Sequence, residues 1–407
     1  MSNQKIINDP VYGLISLKSN LVFEIIQHPY FQRLRNIHQL GLTHMVYPGA
    51  THTRFQHSIG AMHLMQNALE ILSNKGVDIS EEEKEATLAA ILLHDIGHTA
   101  FSHALEYFFV ENCSHEDFTN LIINDLNNKL GNKLHLTLQI IDNHYHKTFL
   151  HQLVSGQLDV DRLDYLNRDS FYTGVSEGVI GSERIIQMLN VKDNHLVAES
   201  KAIYSIEKFI ISRRLMYWQV YLHKTVHAAE QMLVCTLNRA KYLYQQGKKI
   251  FMIPELAFFF DKNYQLEDFF DPKYLQAYIE IDDNIIWYCI KQWQNATDIV
   301  LSTLSYRLYN RNLFRIEIQE HKFDKEYLAD KKSLVCQHFN ISEKESEYFV
   351  VSGEMTNRAY NAKVESIYIL DKKGELHRLE ELSDHLNHRT LSESVNKYFI
   401  CYPKEIQ

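Results

Sequence analysis

One run of ten residues limits what this chain can fold into more than any other: Ala89-Ala90-Ile91-Leu92-Leu93-His94-Asp95-Ile96-Gly97-His98. Ser80 with Glu83 three residues on forms a capping box, which predicts a helix starting there and running toward His94. With apolar residues on nearly every face, that helix must be buried. A His and an Asp at its inner end each need a partner, and a divalent cation would serve both. Gly97 lets the chain break, and His98 follows one turn after His94.

Composition narrows the rest. A length of 407 residues, 45% of them hydrophobic, supplies a large core. The net charge of −9 offers no basic field for duplex nucleic acid. Cys113, Cys235, Cys289, Cys336 and Cys401 are scattered and form no Cys-x-x-Cys pair, which points to a reducing, cytoplasmic setting. The polar start MSNQKIINDP shows no signal peptide, and no apolar run approaches membrane-spanning length.

The chain in order predicts a mainly α protein. Asp9-Pro10 and Tyr12-Gly13 sit between two β-prone pieces and suggest a short N-terminal hairpin. Helical periodicity follows from Leu21 to Leu40, with Pro29 suited to a first turn. A turn-rich segment, Tyr47 to Ser58, precedes a helix over about Ile59–Ser73. After the central helix, another is expected from Ala104, then one capped by Ser114. Gly174, Gly178 and Gly181 suggest a flexible loop. Ser205 to Gln246 reads as one long helix ended by Gly247. On it, Arg213, Tyr217 and Lys224 share a stripe with Tyr221 at its edge. Helices follow over Asp283–Trp293 and Asp298–Arg307. Beyond residue 320 strand-like runs appear, so the domains are expected to be 1–320, a helical core, and 321–407, a small α+β appendage.

His57, His94, Asp95 and Asp161 come from separated segments and offer two imidazoles and two carboxylates. That mixed set suits Mn, Fe, Mg or Zn in an open site rather than a structural Cys-type zinc. Around it, Arg54-Phe55-Gln56-His57-Ser58, His94-Asp95-Ile96-Gly97-His98 with Phe101-Ser102-His103, His115-Glu116, and Asp159-Val160-Asp161-Arg162-Leu163-Asp164-Tyr165 fall in one order. Together they closely resemble the HD-domain phosphohydrolases, and within them the deoxynucleoside triphosphate triphosphohydrolases. The resemblance runs from Asp9-Pro10 to about Arg315 and implies a mainly α-helical HD core.

By position, the resemblance makes His57, His94, Asp95 and Asp161 the ligands of a divalent cation. It makes His103 the acid that protonates the leaving 5′-oxygen, with His115 and Glu106 holding it. Glu106 stands where the family often has Asp. His98 and Arg54 would lie near the scissile phosphate. Planar guanidinium groups bind phosphate bidentately, and Arg162, Tyr165, Arg213 and Lys224 are implied as phosphate contacts. Asp169 would accept the sugar 3′-OH, while Gln39, Leu40 and Tyr221 close around the sugar and Tyr217 shares the Arg213 stripe. Gln32, Arg35, Arg311 and Arg315 look similar to residues that serve a nucleotide activator site between subunits of tetrameric relatives. The reading is therefore a cytoplasmic, homo-oligomeric (dimeric or tetrameric) hydrolase releasing deoxynucleoside and triphosphate. Two alternatives are an HD phosphohydrolase acting on a nucleoside monophosphate or cyclic nucleotide, and a catalytically quiet nucleotide- or RNA-binding module.

Overall fold

The computed structural model describes residues 5–357, 366–383 and 395–406. The chain opens with an antiparallel hairpin of β1 (Lys5–Asp9) and β2 (Gly13–Leu17), as expected. Asp9 makes its turn by accepting from the backbone of Val11 and Tyr12 at 2.9 and 3.0 Å. α1 (Asn20–Gln27) and α2 (Pro29–Gln32) follow, with Pro29 in the first turn of the second.

α3 (Arg54–Asn74) begins earlier than the predicted Ile59. Thr53 and Gln56 form a capping box, with the Thr53 N–H donating to Gln56 Oε1 at 2.8 Å, so His57 lies inside the helix rather than in a loop. α4 (Glu81–Leu93) carries the predicted Ser80/Glu83 box and is buried from Ala86 to Leu93. No α-helix starts at Ala104: a 3-10 turn, Ser102–Leu105, stands there instead. Phe101 and Ser102 before it are left-handed, at φ 55° and 51°, and Asp283 Oδ1 takes the Phe101 N–H at 2.7 Å. That geometry gives the chain no helical start.

α5 (His115–Lys129) has the predicted Ser114 cap, and α6 (His135–Ile141) and α7 (Thr148–Val154) follow. α8 (Val160–Thr173) starts at an Asp159 cap and stops at left-handed Gly174. The glycine segment after it is packed at Gly178, where an added Cβ would meet Met216 Sδ at 2.7 Å. Next come α9 (Ser182–Gln187), β3 (Leu189–Lys192) and β4 (His195–Glu199).

The predicted long helix is two helices, α10 (Ile203–Met216) and α11 (Lys224–Gln245). Between them Tyr217–Tyr221 forms a π-turn. The Gln219 carbonyl, which an α-helix would bond to the His223 N–H, is taken by the Tyr47 hydroxyl at 2.5 Å. The His223 N–H bonds Val220 O instead, and its ring caps α11 through the Thr225 N–H. A side chain from far along the chain therefore breaks the ladder.

α12 (Pro254–Asp261), α13 (Pro272–Glu280), α14 (Asp283–Trp293) and α15 (Ile299–Tyr309) complete the helical body. After β5 (Arg315–Gln319) come α16 (Lys325–Phe339), α17 (Glu343–Ser346), β6 (Val351–Asn357), β7 (Tyr368–Leu370), β8 (Leu376–Arg378), α18 (Leu379–Leu382) and β9 (Val395–Tyr402). One sheet runs β3-β4-β7-β8, with β4 and β7 parallel; the other is antiparallel, β5-β9-β6. Strands from both sides of residue 320 thus share these sheets. Buried apolar side chains form one continuous cluster from Ile15 to Ile406. Among the described residues no helix is long and apolar enough to cross a membrane.

Candidate metal centre and its pocket

Three helices bring four polar side chains to one buried point. α3 supplies His57, the end of α4 supplies His94 and Asp95, and α8 supplies Asp161. Asp161 Oδ1 lies 3.0 Å from His57 Nε2 and 3.4 Å from His94 Nε2. Asp95 approaches with both oxygens, Oδ1 at 3.5 Å from His94 Nε2 and Oδ2 at 3.8 Å from His57 Nε2.

Each imidazole is oriented from behind. The His94 Nδ1 donates to Ile91 O at 2.7 Å, and the His57 Nδ1 to Asp164 Oδ2 at 2.8 Å. Asp164 is held in turn by Arg168, whose Nη1 donates to Asp9 Oδ2 at 2.8 Å. Room for this chain exists because residue 60 is glycine: a Cβ there would fall 2.0 Å from Arg168 Nη2.

Both Nε2 lone pairs therefore face inward, and both atoms are buried with no hydrogen-bond partner. Orphaned nitrogens beside two carboxylates fit a divalent cation. The electrostatics agree. Burial opposes charge on His57, but Asp161 and Asp164 overcome it and hold its pKa up at about 10. His94 is raised against burial by Asp95 and Asp161. Burial pushes both carboxyls up, yet His94 heads the groups that hold Asp95 and Asp161 well below the usual range. The point calls for positive charge.

Arg54 flanks it, fully buried, donating to Asp95 and, through Nε, to Ser102 Oγ at 2.9 Å. On the other side stand His98, His103 and His115. Glu106 takes the Nδ1 of His103 at 3.2 Å and the Nδ1 of His115. The longer Glu thus reaches both rings. Despite burial, those two histidines hold the Glu106 carboxyl well below its ordinary range. A cavity of about 420 Å³ opens here, lined by His94, Asp95, His115, Asp161, Arg162 and His151 among others.

The remaining predicted residues line up along α8. Arg162 sits at its start, donating to Gly156 O and Asp159. Tyr165 follows, with Arg213 of α10 lowering its pKa against a burial that takes it to about 12. Asp169 comes last. Its Oδ1 takes the His52 Nε2 at 2.7 Å and its Oδ2 the Tyr221 hydroxyl at 2.8 Å. Tyr221 lies against both Tyr165 and Tyr217. Gln39 joins through its N–H on His52 O at 3.0 Å, its Oε1 buried without a partner, and half-buried Leu40 is next to it. Lys224 does not continue the Arg213 stripe. It opens α11 beyond the break, exposed, with no hydrogen bond or ion pair among the described residues.

The other predicted set lies at the surface. Arg35 bonds Gln32 Oε1 at 2.8 Å and covers the Phe55 ring. Exposed Arg311 donates to Met45 O, and exposed Arg315 faces Glu317 at 3.4 Å.

Several groups in the site were not singled out from sequence. Asp164 and Arg168 stand four apart on α8, a legible pair. His52 and Asp283 carried no local signal. Asp283 clamps the loops on either side of the centre, accepting from the His38 backbone at 2.9 Å and its ring at 2.6 Å as well as from Phe101.

A helical body carrying a buried His, His-Asp, Asp set defines a hydrolase of the HD type. The chain belongs to the HD-domain phosphohydrolase family: residues 54–169 match the HD domain and residues 180–250 the HD associated region. It is 49% identical to a phosphohydrolase of Bacteroides thetaiotaomicron of known structure, with a TM-score of 0.95 over 98% of this chain and 99% of that one. It is 35% identical to the uncharacterized protein YwfO of Bacillus subtilis over 77% of this chain and 72% of YwfO. It is 28% identical to human deoxynucleoside triphosphate triphosphohydrolase SAMHD1, over 77% of this chain and 55% of that protein.

Proposed function

We propose that this protein hydrolyses deoxynucleoside triphosphates to deoxynucleoside and triphosphate, with a divalent cation at His57, His94, Asp95 and Asp161. The observation that carries the reading is the face of α8. Asp161, Tyr165 and Asp169 recur every four residues on it. Eight residues of helix span about 12 Å, room for a nucleotide laid along it. The cation, when bound, supplies Lewis acidity and lowers the pKa of a water to roughly 7. Arg54, Arg162 and Arg213 gather phosphate oxygens, which guanidinium forks match. Asp169 and Tyr221 hold the sugar 3′ edge. Tyr221 and Gln39 leave a ribose 2′-OH without a partner, a loss of about 1–3 kcal/mol. His103, exposed on its turn and backed by Glu106, delivers a proton to the leaving 5′-oxygen.

The reading includes a cytoplasmic homo-oligomer whose activity a nucleotide at Gln32, Arg35, Arg311 and Arg315 adjusts. Product analysis with the four deoxynucleoside triphosphates, singly and mixed, with Mn or Mg, tests it. Free triphosphate is the expected product. Inorganic phosphate points to a different phosphohydrolase, and no turnover to a binding module.

A further inference from the structure

Next to the His57, His94, Asp95, Asp161 set stands a second cluster with different donor chemistry. One ring nitrogen from each of His98, His103 and His115 lies within 4.8 Å of the other two. His98 stacks on His115, centroids 3.8 Å apart and planes 13° apart. His103 stands edge-on, 4.9 Å from His98 and 5.5 Å from His115. Glu106 holds the Nδ1 of both His103 and His115. An ionised carboxylate only accepts, so those two rings keep a proton on Nδ1 and carry the lone pair on Nε2. A carboxylate behind an imidazole is the usual support for a ring that ligates a metal. His98 is fixed from its backbone, since the buried Arg33 donates to Ile96 O and His98 O at 2.8 and 2.7 Å.

We propose that His98, His103 and His115 form a second cation site, for a borderline-soft transition ion such as Zn²⁺, and that filling it shuts down the neighbouring centre. The donors choose the ion. Three neutral imidazoles without a direct carboxylate favour Zn²⁺, Ni²⁺ or Cu²⁺ and hold Mg²⁺ poorly, whereas the first set, with two carboxylates, accepts hard ions. Zn–N bonds of about 2.0–2.1 Å require the nitrogens to draw closer than they stand. His103 is free to make that movement, because its side chain is 69% exposed. An ion on its Nε2 leaves no proton there to donate. The inhibitory consequence rests on His103 as the proton donor; ion binding by the cluster does not.

Zinc counting separates the two. The full-length protein is equilibrated with micromolar Zn²⁺, desalted and assayed for zinc per chain, with calorimetric titration alongside. His103→Ala, at an exposed position, should hold one equivalent fewer than wild type, and His103→Gln should behave alike. His94→Ala should lose a different equivalent, so that the double variant loses two. Asp371→Asn controls for the exposed Asp371, Glu375, His377 group on the β7–β8 hairpin. A His103→Ala protein that binds as much zinc as wild type overturns the site. If His103→Ala loses zinc while His94→Ala keeps its full complement, the second site stands and the assignment of the first fails. Zn²⁺ added to Mn²⁺-loaded wild type should abolish deoxynucleotide turnover at the concentration that fills the equivalent missing in His103→Ala. Full turnover with that equivalent bound overturns the inhibitory role.

Discussion

The residues around the centre divide by what each is asked to hold. His94 and Asp161 present unpaired atoms to one point, whereas His103 faces solvent and makes its bond to Glu106. Their substitutions should therefore part company. His94→Ala or Asp161→Ala should lose bound metal and turnover together. His103→Ala should keep the metal at that centre and bind nucleotide, yet lose roughly 10²–10⁴-fold in rate, the range for a positioned acid. Elemental analysis beside single-turnover kinetics checks both; a His94→Ala protein with a full complement at that centre would defeat the assignment. At this scale much was legible. Imidazoles and carboxylates beside an apolar run point to a metal because nothing else offsets their burial. His52 and Asp283 were not, because nothing near them in the chain says where their partners lie.

Caps made helix starts the most readable elements. Glu83 closes the α4 box at Ser80 and also accepts from Lys147 at 2.8 Å and the Tyr145 hydroxyl at 2.7 Å. Burial pushes its carboxyl up, but Lys147, Ser80 and Tyr145 together hold it below the ordinary range. A depressed folded pKa contributes stability that is present above the unfolded value of about 4.3 and is lost as pH falls through the folded one. Glu83→Gln should thus cost stability at pH 6, and the gap to wild type should narrow toward pH 3. Denaturant titrations across that range check it, and a gap that stays constant would take the charge out of the account. The Ser80→Ala change should cost about 0.5–2 kcal/mol at either pH. Interruptions were harder to read than starts. The break at Tyr217–Tyr221 depends on the Tyr47 hydroxyl, 172 residues away in sequence, so local periodicity could not contain it.

Across the molecule, the pocket exists only because α8 and α10 meet. Tyr165 and Asp169 come from one, Arg213 from the other, and the π-turn after α10 swings Tyr221 onto Asp169. Arg213→Ala should weaken triphosphate turnover while leaving any slow monophosphate hydrolysis unchanged, because an outer-phosphate contact goes and the metal point stays. Steady-state kinetics on both substrate classes checks this, and equal losses on both would return the protein to a generic phosphohydrolase. By itself the sequence determined the helical class, the capped starts of α4 and α5, the N-terminal hairpin and the metal-type residues of the centre. Those follow from short-range rules: capping hydrogen bonds, periodicity, and the cost of burying unpaired polar groups. Tertiary structure alone decided that His57 sits inside a helix with Asp164, Arg168 and Asp9 behind it. It alone decided that the chain at Phe101 turns left-handed under Asp283 and that Lys224 falls beyond a break. Each of those depends on a hydrogen bond between residues far apart in the chain, and no local pattern records which distant atom will arrive.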